Sequence, residues 1–256
     1  MTDNSKLSYI DTGKGKGNET LLFIHGFCGS HEYWSDIIAE LKDEYRVIAV
    51  DLRGHGASEE IGGSFSIEDM AADIASFLEE LEIGRVYMFG HSLGGYITLA
   101  FAERFPGKLS GFSLVHSTAF PDDETGKAGR LKSVEKIESE GIPAFIDGLI
   151  PKLFANSDDP NIDHTKEIGY KTSVIGAIGS LHAMRNRIDR NHVLKDTKLP
   201  VLLVAGEQDK VIPVEKTFSV KGSHINEVIL EGSGHMGMLE APSRLIQEII
   251  RFVEKN

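Results

Sequence analysis

Ser92 stands in Gly90-His91-Ser92-Leu93-Gly94-Gly95, after the apolar run Val86-Tyr87-Met88-Phe89 and before Tyr96-Ile97-Thr98-Leu99-Ala100-Phe101. A hydroxyl needs no glycines around it; a sharply bent backbone does. A tight strand-to-helix turn strains its central residue and crowds the neighbours, and glycine two residues to either side avoids the Cβ clashes. The hydroxyl is then lifted clear of the sheet at the positive end of the following helix. This is the nucleophile-elbow pattern, and the context it requires, strand then turn then helix, is present. The competing reading is a glycine-rich helix start whose serine hydroxyl only caps the helix.

A serine needs a base within hydrogen-bond reach, and the base needs a carboxylate to orient it. Of ten histidines, His235 is the best base, in Gly232-Ser233-Gly234-His235-Met236 directly after the last expected strand. His55 also lies in a glycine-rich loop but precedes the serine, and His25, His91 and His116 adjoin strand ends as supporting hydrogen-bonders. The carboxylate is expected from Gly206-Glu207-Gln208-Asp209, with Asp209 the candidate and Glu207 the backup. In isolation Asp209 would read as a turn or cap aspartate. The strand before it ends in Val115-His116-Ser117, which offers no competing acid. Two backbone amides are needed for the oxyanion: Leu93, after the nucleophile, and Phe27, in the loop His25-Gly26-Phe27-Cys28-Gly29-Ser30. Nothing places a base beside Cys28.

Positioning these residues requires a scaffold. Short apolar runs at Thr20–Ile24, Arg46–Val50, Arg85–Phe89, Gly111–Val115, Pro200–Ala205 and Glu227–Leu230 suit strands buried on both faces of a mainly parallel sheet. Between them lie amphipathic helices. Ser66 to Leu81 puts Ile67, Met70, Ala71, Ile74, Phe77, Leu78 and Leu81 on one face, with Ser66 and Asp69 as a capping box. Ser243 to Val253 repeats the pattern. From residue 118 to 195 no strand is expected: the segment is mostly helical, with Leu131, Val134 and Ile137 as one apolar stripe, and interrupted by Pro121, Pro143, Pro151 and Pro160. It reads as a helical insertion in a core of residues 1–117 and 196–256, so the class is α/β.

Composition narrows the function. Acidic residues outnumber basic ones, 39 to 27, which argues against a nucleic-acid or anionic-membrane partner. One cysteine, Cys28, excludes an intramolecular disulfide and fits a reducing, cytoplasmic compartment. The polar N-terminal segment lacks the apolar stretch of a signal peptide, and no apolar run approaches the ~20 residues of a spanning helix. Gly13-Lys14-Gly15-Lys16-Gly17 lacks the ending of a phosphate loop. Neither HxHxDH nor HExxH occurs, so a metallohydrolase is disfavoured and no metal or cofactor is called for.

With those residues in place, the chain resembles the α/β-hydrolase superfamily, most closely its serine carboxylesterase and enol-lactonase branch. The resemblance rests on His25-Gly26-Phe27, Asp51-Leu52-Arg53-Gly54-His55-Gly56-Ala57-Ser58, the Ser92 elbow, Gly206-Glu207-Gln208-Asp209 and Gly234-His235, in that order. It implies an eight-stranded, mostly parallel sheet with a helical cap after the sixth strand. It implies Ser92 as nucleophile, Asp209 as acid, His235 as base, and the Phe27 and Leu93 amides as oxyanion hole. Asp51 to Ser58 would be structural. Relatives with an aspartate nucleophile are disfavoured by Ser92. His182-Ala183-Met184-Arg185-Asn186-Arg187-Ile188-Asp189 is similar to lactonase-like members.

The expected activity is hydrolysis of a small-molecule ester or lactone through an acyl-serine. One alternative is carbon–carbon hydrolysis or a lyase reaction on a small acidic substrate with the same triad, for which Arg185 and Arg187 would serve. Another is a silent binding protein of the same fold. Phe27, Trp34, Phe120, Phe145, Phe154 and Met236 are candidates for an apolar pocket.

Overall fold

The computed structural model describes residues 7–60 and 62–256. In chain order the elements are β1 (Tyr9–Asp11), β2 (Thr20–Ile24), α1 (Ser35–Leu41), β3 (Arg46–Val50), α2 (Ile67–Glu80), β4 (Val86–His91), α3 (Leu93–Arg104) and β5 (Leu109–Val115). There follow α4 (Glu124–Leu149), α5 (Ile162–Tyr170), α6 (Val174–Asn186), α7 (Asn191–Asp196), β6 (Val201–Gly206), α8 (Val214–Thr217), β7 (Ile225–Leu230), α9 (Gly237–Glu240) and α10 (Pro242–Lys255). The strands form one sheet in the order β1-β3-β2-β4-β5-β6-β7. β1 is antiparallel to β3, and every other pairing is parallel.

The continuous apolar runs of β2 to β6 follow from this arrangement. Helices cover both faces of a parallel sheet, so neither face of a central strand can be polar. Leu21 to Ile24, Val47 to Val50 and Val201 to Ala205 are all buried. At the edge, β7 alternates instead, leaving Ile229 47% exposed. The capping box is present: Ser66 accepts from the Asp69 amide at 3.1 Å, and Asp69 accepts from the Ser66 amide at 2.8 Å.

Three expectations change. The described residues contain seven strands rather than eight, and the helical insertion follows the fifth of them; residues 1–6 of the expected core lie outside the described residues. β1 escaped notice because three residues are too short to show a period. Arg85–Phe89 shifts to Val86–His91, so the strand runs on through Gly90 and His91 and delivers its end directly to Ser92. In the insertion, Leu131 is exposed rather than packed beside Val134 and Ile137. The α4 backbone breaks at Gly141 (φ 81, ψ 173), and Pro143 falls in the first turn after the break, where its missing N–H costs little. Between β5 and β6 no strand occurs among the described residues, as expected. No described helix is long and apolar enough to cross a membrane.

Close packing of α3 on the sheet sets the position of the elbow. A Cβ at Gly94 would lie 2.4 Å from the Ile24 carbonyl oxygen and 2.8 Å from that of His25. Backbone cannot yield as a side-chain tip can. Gly94→Ala is therefore expected to destabilise by ~1–3 kcal/mol through overpacking, read as a lower urea midpoint. Gly84→Ala, where a Cβ meets nothing within 4 Å, should stay within ~0.5 kcal/mol of the parent. Equal midpoints for the two variants would contradict this packing.

Candidate active site

Ser92 has φ 49 and ψ −110, a conformation non-glycine residues rarely adopt. Such strain costs roughly 1–3 kcal/mol and persists only where the surroundings over-determine it. Here the peptide is held on three sides. The Ser92 amide donates to the Val115 carbonyl (3.0 Å), and its carbonyl accepts from the Gly95 amide (2.9 Å) and the Ser117 hydroxyl (2.7 Å). The Ser92 hydroxyl makes no capping hydrogen bond to α3, so the helix-cap reading fails.

Asp209 and His235 meet behind the elbow. His235 Nδ1–H donates to Asp209 Oδ2 at 2.8 Å, and both side chains are buried. This bond leaves Nε2 as the unprotonated nitrogen of the neutral ring. The other carboxylate oxygen accepts from the Val211 amide (2.8 Å) and the Ile212 amide (2.9 Å). Burial opposes ionisation of Asp209, but the electrostatic attraction of His235, its hydrogen bond and the neighbouring His116 ring outweigh it and hold the carboxyl well below the usual range. Glu207 faces away, accepting from the Gly232 amide at 2.8 Å.

Three supports surround this pair; the sequence marks His91 and His116 as supporting hydrogen-bonders without naming their partners, and does not mark Glu240. His116 Nδ1 lies 3.4 Å from the same Asp209 oxygen, a contact of ion-pair length without hydrogen-bond alignment. His91 Nε2–H donates to the His235 carbonyl (2.9 Å), tying the elbow to the base loop. Glu240 Oε2 accepts from the Gly234 amide (2.9 Å) and the Met236 amide (3.1 Å) while Oε1 accepts from the Ala155 amide (2.8 Å), fastening that loop to the insertion. The His235 amide adds a bond to the Leu153 carbonyl (2.7 Å). Little local marks these partners: His91–His235, His116–Asp209 and Glu240–Ala155 are each 85 or more residues apart, and only the Glu240 bonds to Gly234 and Met236 are short-range. His116, Asp209 and His235 also form a group whose ligand atoms, all within 4.8 Å of one another, could hold a metal ion.

Ser92, His235 and Phe27 line one cavity of about 420 Å³, within the usual size for a small-molecule site. The loop carrying Phe27 abuts the elbow: a Cβ on Gly26 would lie 3.3 Å from Ser92 Cβ. Neither the Phe27 nor the Leu93 amide has an acceptor among the described residues. Of the expected pocket residues, Phe27 and Phe120 line the cavity. Phe145 packs edge-on against Phe27, Trp34 packs on Phe23 in the core, and Phe154 and Met236 are core. Tyr33, Tyr96, Leu149 and Met184 line it instead. Arg187 contributes to the wall, together with Asp122 and Arg130, whereas Arg185 turns to Asn186.

Residues 19–166 match the family model for the alpha/beta hydrolase fold. The chain belongs to this family. An esterase from Thermogutta terrifontis, solved with malate bound, is 28% identical to this hydrolase-fold chain with a TM-score of 0.91, covering 98% of this chain and 97% of that one. The enol-lactonase from Burkholderia xenovorans LB400, at 21% identity and a TM-score of 0.87 over 98% of both chains, shares the fold. The dihydrolipoyllysine-residue acetyltransferase component of an acetoin cleaving system from Pseudomonas putida is 26% identical over 254 residues, 98% of this chain and 67% of that protein.

The loop from Asp51 to Ser58 is structural, as the resemblance implied. Asp51 accepts from the His31 amide (2.7 Å), His31 Nδ1 (2.8 Å) and the Ala57 amide (2.9 Å). Against the cost of burial, His31 brings its pKa down to about 2. Beside it, His25 donates from Nδ1 to the Gly26 carbonyl (2.7 Å) and accepts the Leu52 amide at Nε2 (2.9 Å), so its ring must be neutral. Cys28 is fully buried, and burial pushes its thiol far up.

Two outcomes follow from this burial. A thiol reagent should leave Cys28 unmodified in the native protein and label it in urea; rapid native labelling would contradict its burial. Desolvation lowers His25 to about 3 and His55 to about 4, and lowers His91 and His116 as well. The unfolded chain takes up these protons from about pH 6.5, so the stabilisation is complete above that value and is lost as the pH falls. His31, raised chiefly by its hydrogen bond to Asp51, opposes the trend, one group against four. The urea midpoint should therefore drop from about pH 7 to about pH 5; a rise would contradict the neutral rings.

Proposed function

We propose that the chain is a serine-dependent hydrolase of carboxylic esters or lactones, acting on a small molecule in the cytoplasm. The observation that carries the reading is the 2.8 Å His235–Asp209 bond, with the His235 ring on the same cavity wall as the strained Ser92. In this reading Ser92 Oγ attacks the carbonyl carbon while His235 Nε2 takes its proton. The oxyanion is received by the Phe27 and Leu93 amides. His235 then gives the proton to the leaving alcohol as the carbon–oxygen bond breaks, leaving an acyl-serine. Water, deprotonated by His235, attacks the acyl group, and Ser92 departs with the proton restored. Asp209 fixes the imidazole tautomer and stabilises the imidazolium. The chemistry calls for no metal or cofactor. Residues 118–195 would act as a cap over a core of 1–117 and 196–256.

Carbon–carbon cleavage of an acidic substrate by the same three residues is the second reading. The guanidinium of Arg187 in the cavity wall favours it, and product analysis with a diketone against a simple ester separates the two.

With p-nitrophenyl butyrate, the wild type should show a burst of one equivalent of nitrophenol per protein chain. Ser92→Ala should fold normally and show none. Asp209→Asn should lower kcat/KM on the order of 10³–10⁴-fold, the scale for losing the orienting aspartate of a serine triad. Undiminished turnover by Ser92→Ala would overturn the assignment.

A further inference from the structure

Besides Asp123 and Lys216, three charged side chains in the cavity wall have no part in the acyl transfer. Arg187, Asp122 and Arg130 form a continuous cluster. Arg187 is held at all three nitrogens: Nε donates to the Phe120 carbonyl (3.2 Å), Nη1 to the Met184 carbonyl (2.8 Å) and Nη2 to Asp122 Oδ1 (2.8 Å). Its Cζ lies 4.1 Å over the Tyr96 ring. Tyr96 is one helical turn from Ser92, its amide donating to the Ser92 carbonyl at 3.3 Å. The cluster is thereby anchored to the elbow itself.

Asp122 Oδ2 accepts from Arg130 Nε at 3.0 Å. Burial disfavours the Asp122 anion, but the two guanidinium groups more than compensate and lower its pKa. One carboxylate therefore sits between two permanent cations, and the trio carries one net positive charge. The neighbouring Asp123 is occupied as the α4 N-cap, accepting from the Gly126 amide at 2.8 Å.

Arg130 differs from Arg187 in what it leaves free. Only Nε is engaged; its terminal nitrogens have no acceptor among the described residues. A guanidinium presents five N–H donors in a planar fork matched to a carboxylate. Along α4 the cavity is lined by Gly126, Gly129, Arg130 and Ser133, one helical face. The small residues leave space around the single cation. A neutral ester would be held by apolar wall alone, and burying the Arg187 guanidinium beside a second, half-buried one would be a needless cost. Asp122 and Arg187 fix the Nε edge of Arg130, so the ordering needed to receive an anion is already done.

We propose that the Arg130–Asp122–Arg187 cluster is a carboxylate subsite, and that the substrates are esters or lactones bearing a second, ionised carboxyl group, received by Arg130. This rests on the acyl-transfer reading above and names its substrate class.

The test compares mono-p-nitrophenyl glutarate with p-nitrophenyl pentanoate, which has the same chain length without the charge, after subtracting the Ser92→Ala rate. The wild type should favour the glutarate ester in kcat/KM by about ten-fold or more, the scale of one charge-assisted fork. Arg130→Gln should lower that selectivity ratio by a similar factor, and Arg130→Lys should restore part of it. A ratio near one in the wild type, or a ratio unchanged in Arg130→Gln while Ser92-dependent release continues, overturns the subsite and spares the acyl-transfer reading. Where neither ester gives a Ser92-dependent burst, the acyl-transfer reading fails and glutarate binding decides the subsite. Glutarate should then raise the melting temperature of Ser92→Ala but not of Ser92→Ala/Arg130→Gln. Equal shifts, or none in either, overturn it.

Discussion

The strained peptide at Ser92 is the constraint around which the rest is arranged. A residue at φ 49 and ψ −110 relaxes unless its surroundings prevent it. Here the end of β5 and the turn after it hold both ends of the peptide, through the Val115 carbonyl and the Ser117 hydroxyl. Gly94 lets α3 approach the end of β2 closely enough that any side chain there would strike the Ile24 carbonyl. Three consecutive strands in the sheet order β2-β4-β5 thus converge on one residue. The parallel sheet is the reason they can: its strand ends all reach the same edge, and loops from that edge carry Phe27, Ser92, His116 and Asp209.

The base loop shows how such a site is closed without a rigid element of its own. His235 lies between β7 and the short α9, in a segment with no regular structure to orient it. Its orientation is supplied by contacts from elsewhere: Asp209 at the ring, His91 at its carbonyl, Leu153 at its amide, and Glu240 across the flanking amides. Glu240 also reaches the Ala155 amide. Core and helical insertion are therefore joined at the His235 loop, and the insertion that lines the cavity also steadies the imidazole.

Charge is distributed in the cavity with the same economy. The protein carries a net charge of −12, yet the wall contributed by the insertion gathers two arginines around one aspartate. Bulk acidity says nothing about this local excess. It arises because α4, the start of the insertion at Asp122 and the end of α6 at Arg187 fold onto one another.

The sequence alone specified the α/β class, all six read strands to within two residues and the capping box at Ser66, and it singled out Asp209 and His235, which the structure pairs, and Ser92, which lines the same cavity as His235. These are legible because they rest on local physics: the continuous apolar run of a doubly covered strand, the cap geometry of one turn, the glycines of one bend. The three-residue β1, the exposure of Leu131, the break at Gly141 and the pocket wall were not legible in that way. Tyr33, Tyr96, Asp122 and Arg130 carry no local mark of their role, and Trp34, Phe154 and Met236 looked equally suited to a pocket while belonging to the core. Which aromatic faces a cavity and which faces a helix is decided by how distant segments pack. Likewise His116 and Glu240 gain their place in the site through partners 93 and 85 residues away. Local bonding determined which residues are able to do the chemistry; long-range packing decided what surrounds them.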